Sequence, residues 1–332
     1  MINLRRTSAV LATVAALSLG AEPVEAADAP ADTPWWPSRW GADDEAGASN
    51  WITPEKVLTA IGLVKTGAVY RLGRTYEAGM PLFGARAFVL RIPGSPTGGV
   101  LGKNRVVWHD EFLATEIGQV GTQFDGLGHI GTATGASGDK SAMRFYNGVT
   151  EAEMASPTGL VKLGVEKARP LVTRGVVLDI AGLKGRMLRE GEEITTDDLL
   201  AALARQGLAE SVITQGDVVL LHTGWGSLWM VDNARYGAGE PGIGVEAAKW
   251  LAAKQVALVG ADTWGVEVVP NPDPDLAFPA HQELIARHGI YLQENLDLGE
   301  LVAAQGWQFL YVFAPVPIKG ATGSPGSPLA IR

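Results

Sequence analysis

Residues 119–129, QVGTQFDGLGH, gather two glutamines, an aspartate and a histidine around three glycines. Residues two apart in a strand share a face. A strand here would therefore line Gln119, Gly121, Gln123 and Asp125 along one side, with Gly121 leaving room for an ion or ligand. The DGLG that follows breaks the strand and lets His129 turn back toward Asp125. Carboxylate, amide and imidazole groups converging on one small space are ligand types for a divalent cation. A solvated edge strand ending in a turn fits the same spacing equally well.

A second set lies in FPAHQELIARHGIYLQENLDL, residues 278–298. Pro279 and His281 stand at a helix start, and His288-Gly289 reads as its stop. The chain then returns as a short strand carrying Glu294. A helix of about seven residues advances roughly 10 Å at about 1.5 Å per residue. The strand covers a similar distance at roughly 3.3 Å per residue. His281 and Glu294 can therefore meet at one end of a helix–strand hairpin, although such a pair taken alone is more often structural. Of the other histidines, His109 in VWHDEF lies upstream of the first stretch and is a weaker candidate for the pocket. His222 in LLHTGW follows a buried run and reads as a hydrogen-bonded core residue. His288 suits a helix C-terminus, where the dipole favours a cation.

These residues need elements to position them. NWITPEKVLTAIGLVKTG reads as a helix capped by Thr53, with Pro54 at its first position and Gly67 at its end. ITTDDLLAALARQG repeats the pattern with Thr195, Asp198 and Gly207. GVEAAKWLAAKQ supplies a third amphipathic helix with Ala247, Trp250 and Leu251 on one face. Between them lie RGVVLDIAG, GDVVLLHTGW, VALVGADTW and WQFLYVFAPVPI, short apolar runs bounded by Gly, Pro or Asp, as buried strands are. The first half, with VYRLGRTY, RAFVLRI and GTQFD, is richer in strand. No repeat of 20 to 50 residues and no linker after residue 50 is visible. The pattern predicts one α/β domain with a mixed sheet over residues 51–332.

With 332 residues, 46% hydrophobic and 19% charged, the chain has ample material for a core. A net charge of −9 and the lack of any long basic run argue against a nucleic-acid partner. Residues 1–26 read as a signal peptide, with MINLRR as the basic start, AVLATVAALSLGA as the apolar stretch and VEA before Ala27 as the cleavage region. No further membrane span follows. Residues 27–50 read as an extended N-terminal arm, and Trp35, Trp36, Trp40 and Trp51 crowd it. They either pack the arm onto the body or wall a flat substrate, reaching a neighbouring subunit. The absence of cysteine excludes disulfides, thiolate metal sites and a cysteine nucleophile. It also suits an oxidising compartment, periplasmic or secreted. GATGSPGSP reads as turn sequence, not as a serine-nucleophile site.

QVGTQFDGLGH resembles the signature of the cyclase-like family of metal-dependent hydrolases, which includes kynurenine formamidase (arylformamidase) and isatin hydrolase. That signature is His-x-Gly-Thr-His-x-Asp, followed four residues on by His. FPAH…HGIYLQENL looks like the family's second metal-binding segment. GDVVLLHTGW and PVPIKGATGSP are similar to its connecting motifs, and RWGADDEAGASNWITPE looks like its longer members. The resemblance covers nearly all of the chain after residue 26.

The resemblance implies a mixed-sheet swivelling β/β/α-type single domain and a homo-oligomer, most simply a dimer. It implies metal contacts from Asp125, His281 and Glu294 and a general acid/base at His129. Both family His ligands are replaced, by Gln119 and Gln123. A neutral, hard amide oxygen shifts preference from zinc toward manganese or magnesium. One divalent ion, Mn²⁺ or Zn²⁺ with Mg²⁺ also open, is the simplest expectation, the glutamines serving as outer ligands or substrate contacts. Gln123 could equally orient a water. Such an ion acidifies water and polarises a carbonyl, and a histidine near neutral pKa can relay the proton. The expected reaction is hydrolysis of an amide, cyclic amide or aryl-formamide. A lactonase, a polyketide-type cyclase on the same site, and a non-catalytic small-molecule binding protein are the alternatives.

Overall fold

The β-branched and aromatic runs become the strands Leu171–Asp179, Val218–His222, Leu258–Ala261 and Gln308–Phe313. The structure, a computed structural model, describes residues 34–332; the expected signal peptide 1–26 and residues 27–33 of the arm lie outside the described residues. Among the described residues the main sheet has nine strands. Their spatial order is Val69–Arg71, Leu329–Ile331, Gln308–Phe313, Leu171–Asp179, Val218–His222, Leu258–Ala261, Tyr291–Glu294, Gln123–Asp125 and Gly323–Pro325. The four strands from Leu171–Asp179 to Tyr291–Glu294 run parallel to one another, and the flanking strands make the sheet mixed. Leu258–Ala261 and Tyr291–Glu294 are buried at every position. Covered on both faces, Leu258–Ala261 reads as a continuous apolar run rather than an alternating one, whereas Tyr291–Glu294, equally buried, carries Gln293 and Glu294 inward.

The helices Thr196–Arg205 and Val245–Ala253 lie in the connections between parallel strands. Thr195 and Asp198 form the capping box that their spacing predicts, and Gly207 follows with φ +70°. Thr53 caps the helix Pro54–Ile61, accepting from the Lys56 N–H. That helix stops at Gly62, five residues before the expected Gly67. Leu63 and Val64 donate back only three residues, to Ala60 and Ile61, tightening the exit. Gly67, at φ +73°, instead starts the return into Val69–Arg71.

One register positions the candidate chemistry. Gln123–Asp125 pairs antiparallel with Tyr291–Glu294, so that Glu294 faces Gln123 and Leu292 faces Asp125. Directly opposed residues in an antiparallel pair share a face, which puts Gln123, Asp125 and Glu294 on the same side of the sheet.

Between Arg86 and Glu116 the chain leaves this sheet as two ribbons, Phe88–Arg91 with Phe112–Thr115 and Gly98–Leu101 with Val106–Trp108. Leu90, Val100, Leu101, Val107 and Phe112 are exposed there. Of the N-terminal arm, residues 34–46 are turns and irregular chain leading into the 3-10 helix Gly47–Trp51, where Ala48 and Ser49 are fully buried. No helix among the described residues is long and apolar enough to cross a membrane.

Candidate metal centre

Glu267 organises the segment that carries His281. Its carboxylate accepts from the Ala280 N–H at 3.2 Å and from the His281 N–H at 2.8 Å, satisfying two free donors at the helix start. The same Oε2 lies 2.5 Å from His281 Nδ1. A carboxylate accepts, so Nδ1 holds a ring proton against Glu267, and Nε2 is the nitrogen that a metal would take once its own proton is displaced. His281 Nε2 stands 3.5 Å from Glu294 Oε1. The helix–strand hairpin therefore closes as expected, but its helix continues beyond His281 as a π-helix over Gln282–Arg287. Wider turns of this kind are rare and are frequent at functional sites. Gly289, at φ +64°, reverses the chain into Tyr291–Glu294.

Asp125 is fully buried. Its Oδ1 lies 3.4 Å from Gln119 Nε2, and its Oδ2 has no hydrogen-bond partner. His129 returns through a turn closed by its N–H on the Gly126 carbonyl, at 3.1 Å, which leaves its Nε2 4.0 Å from Asp125 Oδ2. Gln123 donates from Nε2 to Glu294 Oε2 at 2.5 Å. Gln119 reaches the cluster by a different route from the one its spacing suggests. The strand spans only Gln123–Asp125, and Gln119 sits in a preceding turn, its N–H on the Glu116 carbonyl. Gly121 leaves no room for an ion, because a Cβ there would stand 2.6 Å from the Tyr76 ring. Tyr76, hydrogen-bonded to the Thr122 carbonyl, fills that space.

Ligand atoms of Asp125, His281 and Glu294 all lie within 4.8 Å of one another, and all three residues are buried. Two carboxylates and one oriented imidazole make a donor set for a divalent cation. Asp125 Oδ2, buried and unpartnered, is the kind of atom a cation satisfies. The fit is good. Electrostatics point the same way. Burial, then the nearby charge of Asp125, push the Glu294 carboxyl well above its ordinary range. Burial works against a charged His281, but hydrogen bonds to Glu267 and Glu294 outweigh it and raise its pKa. A cation among these groups would relieve the repulsion between the carboxylates. Burial also lowers the pKa of His129, helped by the charges of His281 and Arg86 and opposed by Asp125.

A cavity of about 170 Å³ opens on His129, His281 and Glu294. Phe83 stacks on Trp264 at 4.4 Å, and Trp264 meets Phe278 edge-on at 6.4 Å, forming an aromatic wall. The other histidines stand apart. His109 is exposed beside the ribbons and lines no part of this cavity. His288 lies 3.0 Å from Glu283. His222, at the end of its strand, bonds Asp179 through Nδ1 at 2.8 Å, with Asp262 4.0 Å from its other nitrogen. Burial disfavours its charge, yet Asp179, Asp262 and Asp297 together raise its pKa above 6.5. Asp179, penalised by burial, is nevertheless lowered by His222, the Gly182 N–H and Arg205.

Glu267, Arg86, Phe83 and Trp264 are site residues that the sequence reading passed over. For Glu267 a signal existed: an acid inside the apolar run GVEVVP needs a buried partner. Nothing comparable marks Arg86.

Residues 45–268 match the family model "Cyclase: Putative cyclase", a span that includes Asp125 and His129 and ends before His281. Among solved structures, the chain is similar to one described as a novel cyclase, with 31% identity, a TM-score of 0.75, and coverage of 88% of this chain and 98% of that one. It is similar in fold to isatin hydrolase A from Ralstonia solanacearum, at 22% identity and TM-score 0.58, covering 85% and 98% of the two chains. Isatin hydrolase A from Labrenzia aggregata, bound to benzyl benzoate, gives 21%, 0.56, 83% and 97%. A search of curated proteins returns no match.

Proposed function

The chain belongs to the cyclase family, and on that premise we propose that it is a metal-dependent hydrolase of a carbon–nitrogen bond in an amide, cyclic amide or aryl-formamide. One observation carries the reading: three buried ligand atoms within 4.8 Å, one of them an imidazole fixed by Glu267, at an aromatic-walled cavity. Asp125, His281 and Glu294 would hold one divalent ion, manganese or zinc. When bound, such an ion supplies Lewis acidity to a carbonyl and makes water acidic enough to ionise near neutral pH.

The chain's own residues do the rest. His129, kept neutral by burial, takes a proton on its ring and returns it to the leaving nitrogen. Gln123 holds Glu294, and Gln119 holds Asp125 and His129, each through its amide NH₂. Phe83 and Trp264 stack against a flat substrate and exclude water. A lactone-opening or cyclising reaction on the same centre is the second reading, favoured by the 31% identity to a structure described as a cyclase. The loss of two family histidines favours a non-catalytic binding protein; retention of His129 with the three ligand residues weighs against it.

The test is a calorimetric titration of chelator-treated protein with Mn²⁺, Zn²⁺ and Mg²⁺, followed by a scan of formamides, cyclic amides and lactones with each metal present. One bound equivalent and amide turnover are expected. Binding of none of the three ions sinks the reading; binding without any turnover leaves the small-molecule binder. We also take the protein as exported, from its basic and apolar start, and as a homodimer, supported by the apolar side chains the ribbons expose.

A further inference from the structure

A second cavity, of about 290 Å³, adjoins the one on the metal centre, and Phe83, Arg86, Gln119, Gln123 and Trp264 belong to both walls. Apart from Arg86, its wall carries no charged side chain. Its two asparagines are already engaged. Asn233 donates to the Gly79 carbonyl and accepts from the Met230 N–H. Asn295 donates to the Gly121 carbonyl and accepts from the Tyr236 hydroxyl. Met80, Leu82 and Val120 make much of the remainder apolar.

Arg86 differs from these groups. Its Nη1 donates to the Gln119 carbonyl at 2.9 Å and its Nη2 to Gln119 Oε1 at 3.3 Å, which fixes the guanidinium plane. Among the described residues no carboxylate forms an ion pair with it. Its neighbour Glu116 instead accepts from the Ala87 N–H. A guanidinium carries five N–H donors in a rigid fork that matches a carboxylate, so most of its donor capacity is unspent.

We propose that this second cavity anchors the body of the substrate and that Arg86 selects one bearing a carboxylate on an apolar or aryl frame. The volume, just under the roughly 300–1,000 Å³ of drug-sized pockets, suits a single-ring acid better than a long chain. The proposal rests on the hydrolase reading, since it sets the anchored group beside the bond to be cut. If Arg86 only offsets the acidic metal ligands, charged and neutral ring compounds will bind alike.

The test uses full-length, chelator-treated protein, so that no metal can hold the carboxylate. Benzoate and its neutral analogue benzamide are titrated calorimetrically into wild type, Arg86→Gln and Arg86→Lys, with circular dichroism confirming equal folding. Wild type should prefer benzoate. Arg86→Gln should weaken benzoate by about 10- to 100-fold, leave benzamide within about twofold, and Arg86→Lys should retain part of the preference. Equal binding of the two compounds by wild type, or equal weakening of both by Arg86→Gln, overturns the proposal. Metal binding by the same wild-type protein is measured separately, so failure of the hydrolase reading is seen independently of the benzoate preference.

Discussion

Replacing Glu267 by Gln tests whether the imidazole of His281 is held for a metal or merely packed. Glu267 accepts three hydrogen bonds, from Ala280 N–H, His281 N–H and His281 Nδ1, and is 1% exposed. Gln keeps the shape and can still accept on one oxygen, but it loses the negative charge opposite Nδ1. A hydrogen bond to a charged group contributes about 1.5–3 kcal/mol against about 0.5–1.5 for a neutral one. The bond to His281 Nδ1 should therefore weaken by roughly 1–1.5 kcal/mol, close to tenfold in an equilibrium constant. A less basic, less firmly oriented imidazole should bind metal about 10- to 100-fold more weakly. Titration of Mn²⁺ and Zn²⁺ into chelator-treated wild type and E267Q reads this directly, with the near-ultraviolet circular dichroism of both as the fold control. Equal metal affinity in a folded E267Q would refute the reasoning, because His281 would then need no carboxylate behind it. Glu267→Ala is the harsher variant. It strands two backbone N–H groups at a buried helix start and should lose stability as well as metal.

Asp125→Asn and His281→Ala should abolish metal binding by elemental analysis, while His129→Ala should keep the ion and lose about 10²- to 10⁴-fold in turnover. The His222–Asp179 pair gives a pH signature. A His with a raised folded pKa stabilises fully below its unfolded value and loses this as pH rises through the folded one, whereas Asp179, lowered, contributes above its unfolded value. His222→Gln should therefore cost the most Tm between about pH 4 and 6.5 and progressively less above that window, and a pH-independent difference would contradict the pairing. For the ribbons, Leu101→Glu with Val107→Glu should turn a dimer into a monomer by light scattering at unchanged metal content; a monomeric wild type removes the dimer reading.

The legible parts of this fold are those set by neighbours in sequence. Thr53 with Pro54, and Thr195 with Asp198, act over three residues, so helix starts could be read directly. The end at Gly62 rather than Gly67 depends on where the chain must turn to meet Leu329–Ile331, a partner far along the sequence. The face shared by Asp125 and Glu294 needs the pairing of two strands about 170 residues apart, which strand periodicity alone cannot supply. It was legible only as half of each motif. RAFVLRI reads as strand and forms one, Phe88–Arg91, but strand composition does not say whether anything covers it, and only the folded chain shows the ribbons bare.

The glutamines show where residue type and residue role separate. An imidazole at position 123 could give a lone pair to a metal, whereas an amide offers a donor and an acceptor on opposite sides. Once Glu294 is ionised it can only accept, so the side of Gln123 that faces it at 2.5 Å must be the NH₂. Gln119 turns its NH₂ toward Asp125 Oδ1 and His129 Nδ1, each at 3.4 Å, and its oxygen accepts from Arg86. Both amides thus fix ligand carboxylates in place, as Glu267 fixes His281. The proposal of one ion follows from these hydrogen bonds: the positions where the family has two more nitrogen ligands are occupied by groups whose donors point at the first three. An Arg86 variant should then disturb Gln119 before it disturbs Gln123, because only Gln119 has its oxygen committed to the guanidinium.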